Sequence, residues 1–272
     1  MEIFNRDMLG LHLRRAQKNW SAARGFLNGY LAAQIQDRLL DIKRDFSATV
    51  EIASVPAVLT QEFLQQKTMQ PHFQVAPVQN ITATPQAVID EEFWPFARQS
   101  LDAIISVGHL HWVNDVPGAL VQCRQSLQPD GLFIAAFFGG ETLGELRASI
   151  AAVEMEIYGG ISPRVSPFAG LQDMAALMQR AQFALPVVDS EMVTVTYANF
   201  WDLVTDLRAT GQSNAVIKRD RRILKREFWP CVAAYYQEHF ANNQGRLNVT
   251  VEIIHALGWA PAQSQPKPLA RG

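Results

Sequence analysis

Residues 115–140 read DVPGALVQCRQSLQPDGLFIAAFFGG, and this stretch decides the fold. Asp115 is of the type that accepts hydrogen bonds from the free amides of a helix start, and Pro117 suits an early helical position, where its missing N–H is no loss. A helix is predicted from there. Gln128-Pro129-Asp130-Gly131 then supplies a turn, and residues 132–138 (LFIAAFF) are apolar on both sides, as a strand buried in a parallel sheet must be. Helix, turn and doubly buried strand make one crossover of an open α/β domain. Gly139-Gly140 at its end lets backbone approach another group closely.

Further strands are predicted at Thr49–Ser54, Phe73–Val78, Ala87–Ile89 and Leu101–Val107, then at 187–197 (VVDSEMVTVTY) and 249–259 (VTVEIIHALGW). Phe26, Leu27, Tyr30, Leu31, Ile35 and Leu39 share one face at helical spacing, which predicts an amphipathic helix over Gly25–Arg44. Helices are also predicted over Glu141–Tyr158, Asp173–Phe183, Asn199–Thr210 and Arg221–Phe240. Strands alternating with helices imply a mostly parallel sheet with helices on both faces. The expected organisation is a helical N-terminal cover over residues 1–46 and an α/β domain over 47–272. A helical insertion is expected over 199–240, and GWAPAQSQPKPLARG at the end reads as an extended tail.

With 272 residues, 48% of them hydrophobic, the chain is long enough for a full core. Its 24 basic and 26 acidic residues leave no global field favouring nucleic acid or an acidic membrane surface. Cys123 and Cys231 lie far apart in apolar helical contexts, which predicts buried thiols in a reduced protein, with no metal expected. No apolar run approaches a membrane span, so no integral membrane segment is expected. The basic start RDMLGLHLRRAQKNW reads as a solvated first helix rather than a transit peptide or a lipid contact.

Ligands of open parallel sheets sit outside the carboxyl ends of the strands. After the fourth strand comes GHLHWVND, residues 108–115. His111 there is a candidate acid, base or orienting donor, or a hydrogen bonder satisfied within the core, and Trp112 is a pocket wall or core residue. After the third strand, Asp90, Glu91 and Glu92 either accept a hydrogen bond from an exocyclic amine such as that of adenine or stand solvated before a turn. GGISPRVSPFAG, residues 159–170, excludes regular structure and carries Arg164 as its only charge; it is a lid candidate, with Ser162–Phe168 expected to be mobile. KRDRRILKR, residues 218–226, reads as the solvated face of a helix.

Taken together, LHWVNDVPGALVQCRQSLQPDGLFIAAFFGGETLGELR, SPRVSPF, LRATGQSNA and the GWAPAQSQPKP tail resemble the class I S-adenosylmethionine-dependent methyltransferase superfamily. The resemblance is nearest to the branch containing the respiratory complex I assembly factor that hydroxylates an arginine, and extends to the methyltransferases of malonyl-acyl carrier protein. It runs from IFNRD at residues 3–7 almost to the end of the chain. It implies a Rossmann-like seven-stranded methyltransferase fold, S-adenosylmethionine as cofactor, and a protein or carrier-protein partner. Because the shared N-terminal motif begins almost at Met1, no transit peptide and a cytoplasmic location are expected.

The resemblance also assigns cofactor positions residue by residue. Glu51 matches the acid near the end of the first strand, Ala53 the start of the glycine-rich loop, Ala76 the acid that holds the ribose hydroxyls, Asp90 and Glu91 the adenine side, and Ser106 the end of the fourth strand. His111 stands on the substrate side. The loop at Ala53–Ala57 (ASVPA) contains no glycine, Pro56 restricts it, and Ala76 offers no acceptor. The ribose and methionine side of the pocket is therefore eroded while its adenine and substrate sides are kept. Two functions remain open: an enzyme with weak cofactor binding, or a non-catalytic assembly or binding module.

Overall fold

The computed structural model describes residues 2–18, 20–21, 23–53, 59–69, 72–78 and 86–266. Its strands are β1 (Thr49–Ala53), β2 (His72–Ala76), β3 (Gln86–Val88), β4 (Leu101–Val107), β5 (Leu127–Phe138), β6 (Ala184–Tyr197) and β7 (Leu247–Trp259). They form one sheet in the order β3-β2-β1-β4-β5-β7-β6, in which only β7 runs against its neighbours. The fold is the seven-stranded α/β arrangement expected. Ser54 to Ala57, on which the glycine-less loop was read, lie outside the described residues.

The deciding crossover forms as its residues dictate. Helix α4 (Val116–Ser126) starts at Asp115, whose Oδ1 accepts the Gly118 N–H at 2.9 Å. The four turn residues are extruded within β5, since Leu127 pairs with Leu101 and Leu132 with Ala103. Beyond them β5 is buried without interruption through Phe138, as is all of β4. Gly139 has its close neighbour: a Cβ there would meet the Glu252 carboxylate at 2.5 Å.

Helices α1 (Arg6–Lys18) and α2 (Phe26–Asp41) precede β1, and α3 (Gln61–Gln66) follows it. α5 (Gly144–Tyr158) follows β5, α6 (Leu171–Arg180) precedes β6, and α7 (Phe200–Ala209) and α8 (Phe228–Phe240) join β6 to β7. One face of the sheet packs against α2, α5, α7 and α8, the other against α4 and α6. α2 thus buries Leu31, Ile35 and Leu39 in the main core. The first helix is only half solvated, for Leu9 and Leu13 pack with Phe4, Val78 and Trp112. Burying each leucine contributes about 1.5–3 kcal/mol, enough to hold α1 across the ends of β2 and β4.

Three expectations are corrected. Residues 218–226 are not helical: Asp220 accepts the Arg222 N–H at 2.9 Å, a local turn that competes with helix. Pro230, tolerated only in a first turn, sets the start of α8 near Phe228. The tail is tied back through residue 266, because Ser264 Oγ and Gln265 Nε2 donate to the Asp130 carboxylate at 2.6 and 2.7 Å. Of the two free cysteines Cys123 is buried but Cys231 is exposed. Among the described residues, no helix is long and apolar enough to cross a membrane.

Candidate functional site

The central strand β4 is followed by Gly108, which adopts φ +62° and so turns the chain sharply into a single 3-10 turn, Leu110–Trp112. His111 therefore stands at the carboxyl end of a central strand. Its ring is 5% exposed and lies 5.1 Å from Phe138, 5.4 Å from Phe168 and 5.4 Å from Trp112. Its Nε2 faces Gln212 Oε1 at 3.1 Å, and Trp112 Nε1 donates to the same oxygen at 3.2 Å. Burial pushes the His111 pKa down to about 3. His111 is thus a neutral group packed behind a cavity wall and absent from the lining of both larger cavities, in line with a hydrogen bonder satisfied within the core.

The acids after β3 are already engaged. Glu91 is 3% exposed and meets both His109 and Arg6. Burial alone would raise its pKa, but His109 and Arg6 outweigh that and hold it at about 2. Asp90 keeps a carboxylate 43% exposed, 3.4 Å from Arg6. Arg6 also donates to the Trp112 carbonyl at 3.3 Å, so α1 clamps the segments after β3 and β4 together. Asn114 completes this clamp by accepting the Ile3 and Phe4 N–H groups at 2.8 and 2.7 Å.

Glu51 is fully buried in β1, where it faces His72 Nε2 at 3.1 Å and accepts the Leu59 N–H at 3.4 Å. An acid so placed braces the two ends of the connection from β1 to α3. Ala53 and Ala76 are buried at the ends of β1 and β2, and Ser106 is buried beside Ile52. Glu91, Ser106 and His109 surround a void of only about 10 Å³, too small for a ligand. Glu51, Ala53, Ala76, Asp90, Glu91, Ser106 and His111 line neither larger cavity, whereas Trp112 lines the first and Arg164 both.

The larger space lies beside them, where β4, β5 and β6 end. A cavity of about 270 Å³ is walled by Phe138, Phe168, Tyr197, Phe200, Trp229 and apolar residues of α2, α5 and α7, with Asn28, Asp206 and Gln212 among its polar members. A second, more open cavity of about 490 Å³ shares Ile150, Arg164, Val165 and Phe168 with it. Residues 162–168 therefore form a partition between the two. They are irregular, as expected, but anchored: Ser162 donates through N and Oγ to the buried Glu154 at 2.8 and 2.6 Å, and Arg164 Nε donates to it at 2.8 Å. Asn214 Nδ2 holds the Pro163 carbonyl at 2.9 Å. The expectation of a mobile lid weakly held by apolar contacts missed these polar anchors. Arg6, Asn28, Glu154 and Gln212 were not singled out, although IFNRD and LRATGQSNA carry two of them.

The family described as Methyltransferase domain matches residues 54–135. Arginine-hydroxylase NDUFAF5, mitochondrial, of Rattus norvegicus is 36% identical over 286 residues, covering 100% of this chain and 81% of that protein. The chain belongs to the class I S-adenosylmethionine-dependent methyltransferase superfamily, in the branch of arginine-hydroxylase NDUFAF5. A malonyl-[acyl-carrier protein] O-methyltransferase of Laribacter hongkongensis (strain HLHK9) is 33% identical over 183 residues, covering 67% of this chain and 59% of that enzyme. The YcgJ protein from Bacillus subtilis matches in fold with a TM-score of 0.56 at 12% identity, over 86% of this chain and 99% of that one.

S-adenosylmethionine is the cofactor of this methyltransferase superfamily. Of the acids the resemblance assigns to it, Asp90 keeps a partly exposed acceptor, and Glu51 is retained but already accepts the Leu59 N–H. At the position the resemblance assigns to the ribose acid, β2 ends in Ala76, whose side chain is no acceptor.

Proposed function

We propose that this methyltransferase-family protein binds S-adenosylmethionine weakly and acts on a side chain or acyl group presented by a protein or carrier-protein partner. The observation that carries the reading is the 270 Å³ cavity at the carboxyl ends of β4, β5 and β6, walled by aromatic side chains that include Trp112 of the turn after β4. Such a space suits one extended group entering from a partner, with remote contacts on the partner supplying orientation. Asp90 would hold the adenine amine and Glu51 would brace the cofactor loop. The bound cofactor supplies the transferable group; the chain's own residues hold the substrate and exclude water. His111 orients the Gln212 amide and, being neutral, adds no charge to the cavity. Cytoplasmic residence is part of this reading and is supported by two unpaired cysteines.

A second reading, a non-catalytic assembly module, is favoured by one observation: Arg6 already engages Asp90 and Glu91, while Ala76 supplies no acceptor. Losing a hydrogen bond to a charged acceptor weakens binding ~10–100-fold. The test is calorimetric titration with S-adenosylmethionine and S-adenosylhomocysteine of the parent protein and of Ala76→Asp. The first reading expects measurable but weak binding, in the high micromolar range, that tightens ~10-fold or more in the variant. Absence of binding in both proteins would leave only the module.

A further inference from the structure

Asn28 is 2% exposed, and neither its carboxamide oxygen nor its nitrogen has a hydrogen-bond partner among the described residues. It lies against the chain reversal after β4, for a Cβ at Gly108 would come within 3.0 Å of its Nδ2. Gln212 presents a second such group. Because an indole N–H only donates, the contact from Trp112 fixes which Gln212 atom is the oxygen and leaves its Nε2 as a buried donor without partner among the described residues. Both side chains line the 270 Å³ cavity. Buried amide groups left unpaired cost stability, so two of them lining one cavity need a reason.

We propose that Asn28 and Gln212 determine specificity in the substrate cavity by reading an amide group carried on an apolar portion of the substrate. The inventory of donors and acceptors selects the chemistry. Asn28 offers one acceptor and two N–H donors, and Gln212 offers donors only. An amide supplies both a C=O and an N–H and satisfies the set. At these two side chains a guanidinium, which only donates, leaves the Asn28 and Gln212 N–H groups unmet, and a carboxylate, which only accepts, leaves Asn28 Oδ1 unmet. The inference rests on the proposed function only in taking this cavity to be the substrate's. Such an amide has two sources, the pantetheine arm of a carrier or a glutamine-like side chain of a peptide.

The experiment uses the full chain and three probes with one six-carbon body: hexanamide, hexylguanidinium and hexanoate, titrated with and without S-adenosylhomocysteine. Hexanamide is expected to bind ~10-fold tighter than the other two, the worth of about one satisfied hydrogen bond. The near-isosteric Asn28→Leu should erase that preference and leave S-adenosylhomocysteine affinity unchanged. It should also raise the melting temperature by on the order of 3 °C, because an unpartnered buried amide is replaced by an apolar group. Equal binding of the three heads by the parent protein, a lower melting temperature in the variant, or loss of its S-adenosylhomocysteine binding would each overturn the proposal. Failure of the parent protein to bind S-adenosylhomocysteine counts against the proposed function alone, and the preference among the heads then decides the inference. Competition with hexanamide by pantetheine supports the carrier source and by N-acetyl-glutaminamide the peptide source; competition by neither overturns the amide reading.

Discussion

Glu91 shows how one buried charge ties together residues that are remote in sequence. It lies 85 positions from Arg6 and touches both Arg6 and His109, so the N-terminal helix is held to the sheet by a carboxylate whose pKa burial alone would raise. Removing the charge leaves Arg6 and His109 facing an uncompensated site, and breaking a buried pair of this kind costs about 3–5 kcal/mol. Glu91→Gln should therefore unfold at clearly lower urea at pH 7. The carboxyl's pKa is depressed from 4.5 to about 2, so its contribution is present above pH 4.5 and lost as pH falls towards 2. The gap between parent and variant should close over that window. Equal midpoints at pH 7 would mean the Arg6–Glu91–His109 contacts do not form in solution.

At the scale of elements, the partition over residues 162–168 depends on Glu154, a buried acid of α5 that accepts from Ser162 twice and from Arg164. Glu154→Ala should speed exchange of the Ser162 amide ~10–100-fold while β4 and β5 amides stay protected; slow exchange in the variant would show that apolar contacts suffice. The elements themselves were legible because periodicity and caps are local: the α4 cap, the doubly buried β4 and β5, and the alternation of β6 each follow from a short window of sequence. The anchors were not, because Glu154 sits in a well-patterned helix where an acid ordinarily reads as solvated. The same limit hid Asn28 and misread 218–226, where a side-chain turn at Asp220 prevails over helical charge spacing. For the candidate site, the turn after β4 was legible from its place behind a buried strand, but which carboxylates were already engaged depended on Arg6, a contact that no local pattern encodes.

For the molecule as a whole, the buried histidines set the acid limit of stability. Burial is the largest cause lowering the pKa of His111, to about 3, and it also lowers those of His12 and His255. Between pH 6.5 and those lowered values the unfolded chain binds protons that the folded chain refuses, so stability falls as pH drops below 6.5. Asp206 acts in the opposite sense, since burial raises its pKa and its protonated form favours the fold, but it is one group against three. His111 alone gives a slope of about 1.4 kcal/mol per pH unit, hence about 2 kcal/mol between pH 6.5 and 5. His111→Gln keeps a donor for Gln212 and removes the titration. Urea unfolding of both proteins at pH 7.5, 6 and 5 should show the parent losing stability steeply and the variant losing about 2 kcal/mol less by pH 5. Parallel declines would mean that His111 takes up its proton while still folded, which would reopen its role as an acid or base at the end of β4.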